Sequence, residues 1–136
     1  MNEARAAKVG EKKLLILQTI AEMLERPAAE KVTTALLAKQ LQVSEAALYR
    51  HFASKAQMFE GLIDFIEQSV FALVNQVETQ QFQSGANRAA SVVTLLMKFA
   101  ERNPGMARVM VGDALVLEHE RLQLRMNLFF DKLEAA

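Results

Sequence analysis

Residues 33–55 read TTALLAKQLQVSEAALYRHFASK, and this stretch decides the fold. Thr33 and Thr34 stand where a helix can begin, because a threonine hydroxyl accepts hydrogen bonds from the amides of the first turn. Leu36, Leu37 and Leu41 follow at helical spacing. Gln42-Val43 is short enough to turn the chain steeply, with Val43 placed to plug the corner. Ser44 then caps a second short helix, in which Leu48 and Phe52 lie one turn apart and share a face. Two short helices and a tight turn make a helix-turn-helix.

With Leu48 and Phe52 turned inward, the rest of the second helix is Ser44, Glu45, Ala46, Ala47, Tyr49, Arg50 and His51. Small residues at 46 and 47 let the backbone approach base edges, and an alanine methyl can touch the thymine methyl. Tyr49 and His51 can donate to phosphate oxygens, and Arg50 can reach a guanine edge or a phosphate. Thr33 and Thr34, like Ser54 with Lys55, place hydroxyls at a positive helix end, which suits a phosphate. The candidate DNA-binding residues are therefore Thr33, Thr34, Ser44, Ala46, Ala47, Tyr49, Arg50, His51, Ser54 and Lys55. Plainer roles stay open for them: the hydroxyls as helix caps, Tyr49 as a half-buried core residue, Arg50 and His51 as solvated side chains.

Outward from this segment, apolar residues recur at three- and four-residue steps and strand-like alternation is absent, so an all-α fold of seven helices is expected. The first covers residues 11–26, with Leu14, Leu17, Ala21 and Leu24 as its stripe, widened by Ile16, Ile20 and Met23, and Pro27 ends it. After the helix-turn-helix, Ser54 caps a fourth helix running to residue 80, about 39 Å long at 1.5 Å per residue. Residues 80–86, QQFQSGA, make the best linker candidate. A fifth helix spans residues 87–102, Asn103-Pro104-Gly105 stops it, a short sixth covers 106–111, and a seventh runs from 113 to the end. The expected organisation is an N-terminal arm and DNA-binding domain over residues 1–53, then a C-terminal helical domain over 54–136. Because the last helix keeps its apolar face up to Leu133 with no closing glycine, C-terminal truncation is expected, unless a partner covers that face.

The chain has 136 residues, enough to bury roughly two thirds of its unfolded surface without staples. Its hydrophobic fraction of 51% argues against disorder, and the lack of cysteine excludes disulfides and thiolate metal sites. No run approaches the ~18 apolar residues of a membrane span, and the polar start lacks a signal-peptide core, so a cytoplasmic protein is expected. Net charge is zero, but residues 1–60 hold nine Lys/Arg against seven Asp/Glu, and residues 61–136 seven against nine. Arg5, Lys8, Lys12 and Lys13 cluster near the N-terminus. An asymmetry this weak does not by itself establish a nucleic-acid partner. Nothing suggests an enzyme or a cofactor. The only histidines are His51 and His119, neither has a serine or acid placed for a triad, and there is no glycine-rich phosphate loop.

On Thr33-Thr34, Leu37-Ala38, Val43-Ser44, Leu48-Tyr49, His51-Phe52 and Lys55 the chain resembles the TetR family of bacterial regulators. SEAALYRHFASK, MFEGLIDFIEQS, ERNPGMARVM and LEHERLQLRMNLFF are similar to its nucleoid-occlusion branch. The resemblance covers residues 11–136. It implies a homodimer that binds a palindromic site on double-stranded DNA, associates with the nucleoid, and when DNA-bound antagonises assembly of FtsZ, the tubulin-like division protein. The family's DNA-contacting positions fall on Thr33, Thr34, Ala46, Ala47, Tyr49, His51 and Lys55. Phe65, Arg102 and Asn103 become candidates for FtsZ contact, with core packing open to Phe65 and helix capping to the other two. The family usually has glycine where Gln42 stands; glutamine at positive φ there costs about 1 kcal/mol. Members are also usually longer and dimerise through C-terminal helices. The competing expectation is a TetR-like repressor answering a small apolar effector in a cavity lined by Phe71, Leu95, Phe99 and Met110. A third is a helical interaction module without DNA binding.

Overall fold

A computed structural model of the protein describes residues 2–25, 32–78, 85–115 and 118–135. The helices are α1 (Asn2–Leu24), α2 (Thr34–Leu41), α3 (Glu45–His51), α4 (Lys55–Glu78), α5 (Gly85–Arg102), α6 (Pro104–Met110) and α7 (Glu120–Ala135), with a 3-10 turn (Asp113–Leu115) before α7 and no strand among the described residues. Pro27, residues 80–84 of the expected linker and Leu117 lie outside the described residues.

Several boundaries differ from expectation, among them that of α5, which takes in residues 85–86 of the expected linker. Helix α1 starts at Asn2 rather than near residue 11. Its first turns are rich in Ala, Glu, Lys and Arg, strong helix formers that carry no apolar stripe to announce a helix. Helix α6 starts at Pro104 itself, because proline suits the first helical position, where no amide is needed. The expected seventh helix is interrupted. Gly112 adopts φ +86°, the chain makes its 3-10 turn, and α7 begins only after His119. The Nδ1 atom of His119 accepts from the amide of Arg121 at 3.1 Å, so this histidine caps α7.

One continuous apolar cluster fills the interior, and it runs unbroken past residue 53. Helix α4 is its axis: Met58, Leu62, Ile63, Ile66 and Val70 are fully buried. Helix α1 contributes Ile16, Leu17, Ile20, Ala21 and Leu24, whereas Leu14, expected in its stripe, is 36% exposed. The helix-turn-helix adds Leu37, Ala38 and Leu48; Leu36 and Val43 stay exposed, so Val43 does not plug the corner. Leu122, Met126 and Phe129 form the buried face of α7, and Phe71 meets Phe129 edge-on with ring centroids 6.0 Å apart.

Helix α6 fastens the two parts of the chain together. A Cβ at Gly105 would lie 1.9 Å from the carbonyl oxygen of Ala21, so backbone packs directly on backbone. One turn on, Nη1 of Arg108 donates to the carbonyl oxygen of Leu24 at 2.8 Å, at the negative end of α1. Polar pairs line the seam between α4 and α7. Arg121 meets Glu60 at 2.6 Å, Arg125 meets both Asp64 (2.7 Å) and Glu67, and Lys132 reaches Glu67 at 3.1 Å.

Burial pushes the Glu67 carboxyl up, but hydrogen bonds and charge from Arg125 and Lys132 outweigh it and leave the group below the ordinary carboxylate range. A lowered native pKa stabilises fully above the unfolded carboxylate's pKa, and that contribution is lost as pH falls through the native value. The urea midpoint is therefore expected to fall from about pH 5 downward in the wild type, and less steeply in Glu67→Gln. Gly105→Ala is expected to destabilise by about 2–3 kcal/mol, read in the same titration at neutral pH. An unchanged midpoint would mean that α6 does not touch α1 at this residue.

Candidate nucleic-acid interface

The recognition unit is set by its turn. Gln42 sits in the left-handed region at φ 58° and ψ 42°, as the glycine-like turn position required. Its amide donates to the carbonyl of Lys39 at 3.1 Å, and the amide of Val43 donates to that of Ala38 at 3.0 Å. This pair of bonds is the Schellman closure of a helix C-terminus, and it accounts for the abrupt exit from α2. Ser44 then starts α3 at once, its Oγ accepting from the amide of Ala47 at 3.1 Å.

The same capping recurs at the other two helix starts. Thr33 Oγ1 accepts from the amide of Leu36, and Ser54 Oγ accepts from the amide of Gln57, both at 3.1 Å. Thr33, Ser44 and Ser54 are thus helix caps, the plainer role. That role does not exclude the other, because a hydroxyl that accepts one bond keeps its own proton to donate.

Ala46, Tyr49 and Arg50 are exposed on α3, while Ala47 and His51 are half-buried. Tyr49 is 43% exposed, so it is a surface residue and not part of the core. Its hydroxyl donates to Thr34 Oγ1 at 3.5 Å, and Thr34 donates to a carboxylate oxygen of Glu45 at 3.4 Å. This chain ties α2 to α3 across the face that the sequence assigned to DNA. It adds Glu45, which sequence reasoning left out of the site: a carboxylate in the first turn favours the helix dipole, and only its spacing from Thr34 and Tyr49 in three dimensions places it here.

Lys55 makes an ion pair that its place in the sequence does not announce. Its ammonium is not free at the DNA face: Nζ lies 2.7 Å from Oε1 of Glu118, with side-chain exposures of 23% and 10%. The same nitrogen sits 5.8 Å from the centroid of the Phe59 ring. Lys13, from the basic N-terminal stretch, lies 5.7 Å from the centroid of Phe52.

Of the three candidate partner residues, the structure brings two together. Arg102 and Asn103 line one end of an open groove of about 740 Å³ between α4 and α5, with Leu73, Leu95, Lys98 and Phe99. The Nδ2 atom of Asn103 also donates to the carbonyl of Phe99 at 2.9 Å, closing the end of α5. Phe65 is not in that groove; it is half-buried and packs on the core. Of the four residues expected to line an effector cavity, two line this groove. Leu95 and Phe99 line the groove, Phe71 faces Phe129, and Met110 is buried in the core. Among the described residues no cluster of side chains is suited to a metal ion, and no helix is long and apolar enough to cross a membrane.

Comparison with known proteins accords with this geometry. Residues 16–62 match the family described as bacterial regulatory proteins, tetR family. Residues 83–136 match an SlmA-like family described as tetracyclin repressor-like, C-terminal domain. The chain is 54% identical over 120 residues to the nucleoid occlusion factor SlmA of Aliivibrio fischeri strain MJ11, covering 88% of this chain and 61% of that protein. It is 52% identical over 122 residues to the SlmA of Vibrio cholerae, covering 89% and 62%. Against the SlmA of Marinomonas sp. strain MWYL1 it is 50% identical over 127 residues, covering 93% and 64%. The chain thus spans about three fifths of the length of these curated relatives.

Because Gln42 carries a Cβ in a left-handed conformation, Gln42→Gly is expected to stabilise the protein by about 1 kcal/mol, measured by urea unfolding. Destabilisation would show that the glutamine side chain contributes more than its backbone strain costs.

Proposed function

The chain belongs to the TetR family of DNA-binding regulators, in its SlmA-like branch, and from that premise we propose that it acts as a nucleoid occlusion factor. In this reading residues 1–53 form the DNA-binding part and residues 54–136 the C-terminal part. A homodimer of the protein binds a palindromic site on double-stranded DNA. In that state it antagonises FtsZ assembly and keeps the septum off the chromosome, in the cytoplasm and on the nucleoid. The family is one of regulators and not of enzymes.

The observation that carries the reading is the extent of the likeness. The helix-turn-helix is common to all TetR-like proteins and says only that DNA is bound. Here the match to SlmA proteins continues through α5, α6 and α7, the part that sets what DNA binding is for. On the DNA side, the reading uses Thr33, Ser44 and Ser54 as hydroxyl donors to phosphate, Thr34 where a phosphate replaces Glu45 as the acceptor of its proton, and Lys55 as a cation beside Ser54. Ala46 and Ala47 are the close-approach face, and Tyr49, Arg50 and His51 are the contacts around it. On the partner side it uses the groove at Arg102 and Asn103, where Lys98 and Arg102 offer positive charge beside apolar walls, a surface that fits an acidic, partly apolar peptide. Phe65 lies outside that groove and is kept as a further candidate contact, half-buried against the core.

The competing repressor reading needs an enclosed apolar chamber. It finds no support in a groove that is open and that Phe71 and Met110 do not line.

The deciding experiment is sedimentation of FtsZ polymers with the protein, in the presence and absence of a palindromic duplex selected by the protein from a random pool. Polymer is expected to leave the pellet only when protein and duplex are both present. Polymer that stays with both present, or that is lost without DNA, would overturn the reading.

A further inference from the structure

We infer that the Lys55–Glu118 pair is an intramolecular latch on DNA binding, in which the Glu118 carboxylate holds the ammonium group that a DNA phosphate would otherwise take. The inference rests on the proposed reading of residues 33–55 as a DNA-binding face.

Lys55 is the first residue of α4, directly after the capping hydroxyl of Ser54. A lysine there completes a phosphate site of amides, hydroxyl and cation. In the structure the cation is already engaged. Glu118 reaches it from 63 residues along the chain, at 2.7 Å, and the Glu118 side chain is only 10% exposed. A carboxylate and a phosphate offer an ammonium the same kind of charged oxygen acceptor, so the two compete. The ammonium has donors to spare, but its charge does not: with Glu118 bound the pair is neutral, and a nearby phosphate meets the carboxylate's repulsion as well. The Phe59 ring beside Nζ helps to hold the lysine in this position.

Glu118 precedes α7, and Arg121 in the first turn of α7 is tied to Glu60 on α4. The pair therefore joins the start of the DNA-binding face to the start of α7. A phosphate that captures Lys55 must release Glu118, and whatever draws the start of α7 away from α4 frees Lys55. By linkage the two effects are equal in size.

The test is fluorescence anisotropy of a labelled mixed-sequence DNA duplex at low salt, which reads phosphate contacts without needing the operator. Glu118→Gln keeps the shape and removes the charge, and it is expected to tighten binding roughly fivefold. Glu118→Asp keeps the charge but shortens the reach, and should fall between the two. In a Lys55→Gln background, Glu118→Gln should leave affinity where it was. Circular dichroism establishes that each variant is folded. Weaker or unchanged binding by both folded Glu118 variants overturns the latch. So does tightening that persists without Lys55, which would make Glu118 a general repulsive charge. Failure of the DNA reading looks different: neither the folded wild type nor any folded variant binds the duplex.

Discussion

The backbone of α6 meets the backbone of α1 with no side chain between them, and the geometry of the rest of the molecule follows from that contact. At Gly105 no other residue fits, because a Cβ would overlap the carbonyl oxygen of Ala21. Arg108 extends the join by bonding the last carbonyl of α1. On its other sides α1 packs against α2, α3 and α4. The helix on which the helix-turn-helix packs is therefore the helix clamped by α6, so the two-helix unit does not rotate without disturbing that contact. Either α6 moves with it or the contact opens. Packed interfaces of this closeness do not deform gradually, which favours discrete arrangements over a continuous swing.

The ionic seam between α4 and α7 has a different part to play. An exposed pair such as Arg121–Glu60 contributes at most about 1 kcal/mol. The Arg125 pair with Glu67 is better shielded, yet its Nη1 is buried without a partner, and such an orphan costs about 1–3 kcal/mol. The charges therefore nearly cancel as a source of stability. The apolar rows do that work: Leu62, Ile66 and Val70 on α4, and Leu122, Met126 and Phe129 on α7, are all fully buried. What the charges contribute is register. Each cation of α7 has its carboxylate on α4, and a shift of one turn would strand several at once.

The contrast between local and distant interactions explains what could be read in advance. Thr33, Gln42 and Ser44 were legible because caps and a left-handed turn are encoded within a few residues of where they act. The early start of α1 was not, since helix propensity without an apolar stripe leaves no periodic signal. The break before α7 depends on Gly112 and on a histidine acting as a cap, and neither is a strong sequence signal. Leu14, Leu36 and Val43 are apolar but exposed; hydrophobicity says that a residue can be buried, and tertiary packing chooses between neighbouring faces. Phe65, Arg102 and Asn103 were grouped as candidate contacts, yet only Arg102 and Asn103 line the groove, since the fold decides which side chains share a surface. Glu45 and Glu118 were invisible as site residues for the same reason: their partners are set by the fold and not by spacing.

In the proposed reading a neutral chain has few charges with which to bind DNA, which makes the state of each cation matter. The first sixty residues carry only a small positive excess. Within the recognition segment, Lys39 and Arg50 are exposed, while Lys55 is held by Glu118. Hydroxyls at Thr33, Ser44 and Ser54 already serve as caps and can donate their protons to phosphate, but a neutral donor displaces no condensed counterion. In the proposed reading such contacts fix orientation and leave the electrostatic part of affinity to a handful of side chains. Each phosphate neutralised shifts the salt exponent by about 0.9, so engaging or withholding a single lysine alters a large share of the total. In a strongly basic DNA-binding protein the same ion pair would be a detail. In the proposed reading, the scarcity of charge that made the sequence look indifferent to nucleic acid gives one carboxylate control over a meaningful part of the binding.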